Sequence, residues 1–322
     1  MRNKVPVLFL IYKNPRITKK VFDEISKYKP ERLYIAADGP KKSSEVRECN
    51  SVRKITEKVS WKCSIERLYR DRNLGCKVAV SEAISWFFSY EESGIILEYD
   101  CLPNESFFYF CEKMLKKYEN DSRVMHISGS NFQNNNIGNG SYYFSSIAGV
   151  WGWATWRNSW GLYDANVENA DCFIKSKDFK NRLPNFFARK YWSKKFLQVL
   201  DGKNKSSWAI PWAYSIVKNK GVCVNSNFNL VSNIGFSSSA THAFNKKSFL
   251  SCRPLEKIED INYPKKIELS PSADIIFSKQ LYKEEESFFI LVKRYLKKFL
   301  YKVFPEKVVD LLVEFKRKNR TG

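Results

Sequence analysis

The first half of the chain alternates short apolar runs with segments whose apolar residues recur at helical spacing. VPVLFLIY (5–12), RLYIAA (32–37), CSIERLY (63–69) and GIILE (94–98) read as strands. Between them Ile17, Val21, Phe22, Ile25 and Tyr28 mark one helix, Cys49, Val52 and Ile55 a second, and Val80, Ala83, Ile84 and Phe87 a third. Asn104 can cap a fourth, carrying Phe107, Phe108, Cys111, Leu115 and Tyr118. Strand and helix thus alternate four times, with helices long enough for crossovers. The pattern predicts a mostly parallel, Rossmann-like α/β sheet flanked by helices. Residues 123–130, 141–148 and 221–231 read as further strands.

Three of the early strands end in acid or turn chemistry: Asp38-Gly39, the stretch 71–75 with Asn73 and Gly75, and Glu98-Tyr99-Asp100. In a parallel sheet these loops share one edge, and ligands bind there. The GIILEYDCLP stretch (94–103) is the sharpest, because an apolar run stops abruptly at two carboxylates. One reading is an acidic strand tip in solvent. The other is a divalent-cation site holding a diphosphate, since Mg²⁺ and its relatives share carboxylate ligands with substrate phosphates. Further on, VWGWATWR (150–157) packs Trp151, Trp153 and Trp156 between small residues. It reads either as an aromatic cluster seated on the core or as a platform for a sugar or nucleobase face. Residues 171–220 look helical and aromatic, with a basic stretch at 189–195. The Gly/Ser-rich loop 232–242 ends in His242, and the other histidine, His126, lies in an apolar strand and reads as structural.

Beyond residue 245 the pattern dissolves. Residues 246–285 read as a linker or wrapping segment, and 286–322 as a C-terminal appendage of basic amphipathic helices. An apolar face beside a polybasic one suits an anionic membrane surface. The bland alternative is a helix packed on the domain with its charges solvated. The net charge of +21 bears on partners and not on fold. No nucleic-acid reader motif accompanies it, so nucleic acid is not an expected partner. Hydrophobic content of 43% and aromatic content of 16% exclude a disordered chain. The eight cysteines form no C-x-x-C pair, which argues against a zinc cluster and for reduced, mostly buried thiols. The first apolar run is too short for a secretory signal. We therefore expect a cytoplasmic protein.

The order Asn-Pro-Arg after the first strand, Ala-Asp-Gly, Asn-Leu-Gly and ILExDCLP resembles the nucleotide-sugar half of GT-A fold glycosyltransferases. It is most similar to a bacterial nucleotide-diphospho-sugar transferase group distantly similar to Golgi N-acetylglucosaminyltransferases. VWGWATWR, SWAIPWA and NLVSNIGFSSSATH extend the likeness over roughly residues 4–245, about three quarters of the chain. The resemblance implies a nucleotide-binding half (1–130) and an acceptor half (131–245). Arg16 and Asp38 would face the uridine. Asn73 and Gly75 would line the ribose and diphosphate. Asp100 would bind Mn²⁺ or Mg²⁺, Glu98 would support it, and His242 would be a further metal or diphosphate contact. Trp151 and Trp153 would shape the acceptor side. The implied activity is transfer of a hexosyl or N-acetylhexosaminyl group from a nucleotide sugar, UDP-linked in the first instance. Inversion is favoured over retention. The acceptor would be a glycan or lipid-linked glycan in bacterial cell-surface polysaccharide synthesis, at the inner face of the inner membrane.

Two positions depart from the family pattern. Tyr99 stands at the centre of the acidic triplet, which leaves fewer metal ligands. Ala209 stands where the group has an Asp suited to be the general base. Asp164, Glu168 and Asp171 are the nearby substitutes, with Asp164 and Asp171 the catalytic candidates. The alternative is a catalytically silent nucleotide-sugar or membrane-surface binder on the same fold. A pyrophosphorylase shares the sheet logic, but the chain has no Gly-rich N-terminal phosphate loop.

Overall fold

The computed structural model describes residues 4–235 and 253–281. The chain divides into two compact units, Met1–Ser278 and Lys279–Gly322. Of the second, only residues 279–281 are described, and they are helical. The predicted appendage at 286–322 and the residue His242 lie outside the described residues.

The first unit begins with β1 (Val7–Ile11), α1 (Pro15–Tyr28), β2 (Arg32–Ala37), α2 (Val46–Ile55), β3 (Ser64–Tyr69), α3 (Cys76–Tyr90) and β4 (Ser93–Glu98). It continues through β5 (Cys101–Pro103), α4 (Glu105–Lys117), β6 (Val124–Ser128), β7 (Tyr142–Ser145), β8 (Trp153–Trp156) and α5 (Arg157–Trp160). Then follow α6 (Ala170–Phe173), α7 (Lys177–Arg182), α8 (Phe186–Leu200), α9 (Ala209–Lys218), β9 (Val222–Ser226) and β10 (Val231–Asn233).

An eight-stranded sheet has the order β3-β2-β1-β4-β8-β6-β9-β7. β3, β2, β1 and β4 pair in parallel, as do β6 and β9. β8 runs against β4 and β6, and β7 runs against β9. The expected fold class therefore holds: a large, mostly parallel sheet with helices on its faces. β1 is buried at every position, as a strand covered on both faces must be. One core layer packs α1 and α4 residues such as Val21, Phe22, Phe107 and Phe108 against Phe9 and Ile35. The other packs Val80, Ile84, Phe87, Trp153 and Trp212 against Leu8 and Ile96.

Two features were not predicted. The Trp-rich stretch is a central strand, β8, seated between β4 and β6. Trp153 lies in the second core layer and Ala154 in the first, which is the alternation of a strand buried on both faces. A separate two-stranded ribbon pairs β5 with β10, Cys101 opposite Asn233. Residues 253–278 belong to the first unit. Ile258 is buried in its core, Ser270 donates its N–H to the Phe144 carbonyl at 2.8 Å, and Ala273 is fully buried. Among the described residues no helix is long and apolar enough to cross a membrane.

Candidate functional site

Parallel register aligns the strand ends. Leu10 of β1 sits opposite Glu98 of β4, Ile11 opposite Ala37, and Ala37 opposite Tyr69. The loops after β1, β2, β3 and β4 therefore emerge along one edge, as the strand pattern implied.

Asp38 knits this edge together. One carboxylate oxygen accepts the N–H groups of Gly39 at 2.9 Å and Leu74 at 2.9 Å. The other accepts from the Asn73 side-chain amide at 2.9 Å and the Gly75 N–H at 3.1 Å. Four donors on a carboxylate fill its lone-pair positions. Asp38, expected to face the uridine, instead turns both oxygens to its own loop and the next. Its charge is spent holding the Asn73–Gly75 loop. Gly39 allows the approach, because a Cβ there would meet the Arg72 backbone carbonyl carbon at 2.4 Å. Beside it, Glu45 accepts from the Tyr12 hydroxyl at 2.7 Å, the Lys13 ammonium at 2.9 Å and the Lys41 N–H at 2.9 Å. The Tyr12 and Lys13 bonds hold the Glu45 carboxyl down at about 2. Arg16 is exposed in the first turn of α1, just past the end of β1.

Glu98 and Asp100 are different. Both are half-buried at the tip of β4. Burial pushes the Glu98 carboxyl above the usual carboxylate range, the Asp100 charge adds to it, and a hydrogen bond with Trp208 opposes it. Asp100 is raised as well, chiefly by burial, against hydrogen bonds with Cys101, its own backbone and Asn233. The β5–β10 ribbon brings Asn233 and Gly235 here: the Ile234 N–H bonds the Asp100 carbonyl at 2.8 Å. A Cβ on Gly235 would lie 2.3 Å from the Asp100 carboxylate, so glycine is required for that close packing. Tyr99 packs against the core beside them.

Residues that the sequence reading passed over complete the picture. Cys76 opens α3. It is exposed, with Glu98, Asp100 and Asp38 as its acidic neighbours. Trp208, just before α9, is buried and stacks on Trp153 with ring centroids 5.5 Å apart. Neither has a local sequence signal, because each is brought to Glu98 by packing of separate elements.

The two half-buried carboxylates fit a hard cation by donor chemistry, since each is under-compensated and both offer oxygen. They do not make a complete cage. Among the described residues no group of three or more His, Cys, Asp or Glu is placed to hold a metal ion.

Trp153 has no exposed surface and stacks on His126 at 5.0 Å, so it is a core residue and not a platform. His126 is structural: its Nε2 meets the Gly149 carbonyl at 2.9 Å and its Nδ1 accepts the Trp212 indole N–H at 3.2 Å. Burial pushes it down to about 4, so it is neutral. Trp151 is half-buried, edge-on to Phe132 at 5.2 Å. Asp164 is tied far along α9. Its carboxylate accepts the Asn166 and Glu168 N–H groups at 3.1 and 2.9 Å and pairs with Lys218 at 3.4 Å, while its own N–H bonds Ser215. Ser215 and Lys218 lie about 10 and 15 Å along the helix from Trp208. Asp171 is exposed in α6 and lies near Tyr214, which also faces Asp164 and Glu168. The structure thus groups both catalytic candidates around the far half of α9, away from the Glu98 contact of Trp208.

No protein-family model and no curated protein sequence matches the chain. Solved structures with a similar arrangement include 4-diphosphocytidyl-2C-methyl-D-erythritol synthase from Anaerococcus prevotii, 8% identical, TM-score 0.35, covering 71% of this chain and 91% of that one. A cytidylyltransferase from Leptospira borgpetersenii is 10% identical, TM-score 0.34, covering 59% and 73%. UDP-glucose pyrophosphorylase complexed with UDP-glucose is 10% identical, TM-score 0.37, covering 70% and 93%. At these scores the likeness is one of general arrangement and carries no inference about chemistry.

Proposed function

We propose that the chain is a nucleotide-sugar-dependent glycosyltransferase that takes a UDP-linked donor and a glycan or lipid-linked acceptor. The observation that carries this reading is the under-compensated Glu98–Asp100 pair on the same strand edge as the Asp38–Asn73–Gly75 loop. A diphosphate-bound divalent cation would supply the missing positive charge there and stabilise the departing nucleoside diphosphate. Asp100 and Glu98 would hold it, with phosphate and water oxygens completing the sphere. Trp208 would fix Glu98, and the Asn73–Gly75 loop, shaped by Asp38, would line the ribose and diphosphate. Arg16 at the same edge would meet the uridine. His242 remains a proposed further ligand on sequence grounds. Residues 1–245 as the transferase region, 246–285 as a wrapping segment and 286–322 as basic helices at the inner membrane also stand as proposals. A second reading, a silent nucleotide-sugar binder, draws on Ala209 at the start of α9 and on Asp164 being held away from Trp208.

The test is thermal stabilisation by UDP and by a panel of UDP-sugars, with and without Mn²⁺. We expect Mn²⁺-dependent stabilisation. None with any nucleotide would remove the donor site. Release of UDP in the presence of acceptor extracts separates the transferase from the silent binder.

A further inference from the structure

The β5–β10 ribbon has three residue pairs: Cys101 opposite Asn233, Leu102 opposite Ser232 and Pro103 opposite Val231. A two-stranded ribbon this short is marginal on its own. One end of it holds Asp100. The Ile234 N–H bonds the Asp100 carbonyl at 2.8 Å, and the Asn233 side chain accepts the Gly235 N–H at 2.9 Å in the turn that lays Gly235 against the Asp100 carboxylate. The other end is closed by Glu256, from the segment 246–285 that reads in the sequence as a linker or wrapping segment. The Glu256 carboxylate accepts the Asn229 N–H at 2.7 Å, and its own N–H bonds the Asn229 carbonyl at 2.8 Å. Its carbonyl accepts the Asn104 side-chain amide at 2.6 Å. Asn229 stands two residues before β10 and Asn104 directly follows β5, so one residue ties both strands. Asn229 is buried, and its side chain is occupied as well. Its amide donates to the Arg253 and Pro254 carbonyls at 3.3 and 2.9 Å, and its oxygen accepts the Asn131 N–H at 3.1 Å.

We propose that Glu256 is a positioning residue for the donor site: by clasping Asn229 and Asn104 it keeps the ribbon paired and so holds Asp100 in place for a diphosphate-bound cation. The proposal rests on the donor-site reading above. β4 ends at Glu98 and β5 begins at Cys101, so Asp100 lies in the turn between them. Past Glu98 the main sheet no longer fixes the backbone, and the ribbon does. A carboxylate serves a cation best when its direction is set beforehand. Glu256 acts through the ribbon, since it meets β5 at the end opposite Asp100, roughly 13 Å along the strand. A carboxylate accepting a backbone N–H makes one of the stronger hydrogen bonds, which suits Glu256 to this task although it is exposed.

Linkage makes the coupling reciprocal: if the clasp favours the cation, the cation favours the clasp. In the full, unmutated chain, Mn²⁺ with UDP should therefore slow amide hydrogen exchange over residues 229–235 and 255–258, by about fivefold beyond UDP alone, which needs no variant to fold. Glu256→Ala leaves the buried Asn229 N–H without its acceptor. The Mn²⁺ concentration that half-saturates UDP-dependent thermal stabilisation should then rise about fivefold or more. Glu256→Gln keeps an oxygen for that N–H and should stay within about twofold of the parent. A residue that served the fold alone would lower the melting temperature equally with and without Mn²⁺ and leave the half-saturating concentration where it was. That result would overturn the proposal. So would a Gln variant as impaired as the Ala variant, or no added protection of residues 229–235 by Mn²⁺. A parent chain that gains no Mn²⁺-dependent stabilisation overturns the donor-site reading and this proposal together. A parent that responds, with Glu256→Ala responding identically, overturns this proposal alone.

Discussion

Two acidic strand ends lie on the same edge of the sheet and behave oppositely. Asp38, after β2, receives four N–H donors from its own loop and the next. Glu98 and Asp100, after β4, are pressed together, and burial lifts both above the usual carboxylate range. The difference is donor supply. Where backbone N–H groups converge, a carboxylate becomes a structural joint. Where they do not, the same residue type stays under-compensated, the state on which the proposed cation site rests. Strand position alone therefore nominates a ligand site, and hydrogen-bond supply decides whether the acid serves the fold or the ligand.

The comparison breaks first at Asp100. Asp100→Ala should cost about 2–5 kcal/mol of Mn²⁺-dependent UDP binding, roughly 30-fold or more, measured by calorimetry. Unchanged affinity would make Asp100 another structural acid. Asp274 supplies an intermediate case. It is buried, accepts from the Ser145 hydroxyl at 2.5 Å and the Ser146 N–H at 3.2 Å, and burial pushes it up to about 6. The folded protein then keeps this proton where the unfolded chain, titrating near 3.8, has lost it. The Asp274 contribution is full below that lower value and is lost as pH rises through about 6, a fall of about 3 kcal/mol. Denaturant titrations across that window should show a shallower decline in Asp274→Asn than in the parent.

Next in size, Asp38→Ala should lower unfolding free energy by about 2 kcal/mol, since it strands several N–H donors. If it instead abolished nucleotide affinity with stability intact, the structural assignment of Asp38 would fail. The smallest effect is expected at Asp164. Asp164→Asn should change UDP affinity by less than about twofold and stability by about 1 kcal/mol, because the amide oxygen keeps one of the two N–H donors and a half-exposed pair with Lys218 is worth little. A large loss of turnover with affinity intact would return Asp164 to the catalytic role.

Much of the fold was legible because apolar runs and helical periodicity report burial directly. β1, β2, β4 and the helices between them carry such patterns, whereas β3, at the sheet edge, has no buried position. β8 was not, since Trp-Gly-Trp-Ala-Thr-Trp has the composition of a loop and its strand character depends on being flanked by β4 and β6. Of the candidate site, Glu98, Asp100 and the Asn73–Gly75 loop were readable from the abrupt end of an apolar run. Cys76, Trp208, Asn233 and Gly235 were not, for their neighbours come from elements far apart in the chain. The expected platform Trp153 carries the same letters whether buried or exposed, and only the antiparallel insertion of β8 buries it.

What the residues determined by themselves was local: which segments form most of the strands and helices, β8 and the β5–β10 ribbon apart, where acids stop a strand, and how much positive charge the chain carries. Those properties follow from side chains acting on their own backbone and on water. Tertiary structure decided which acids are satisfied and which are not. Parallel register set Asp38 among the N–H groups of the Asn73–Gly75 loop, and the β5–β10 ribbon pressed Asn233 and Gly235 against Asp100. Desolvation and hydrogen-bond supply are sums over neighbours in space, and a sequence records only neighbours along the chain.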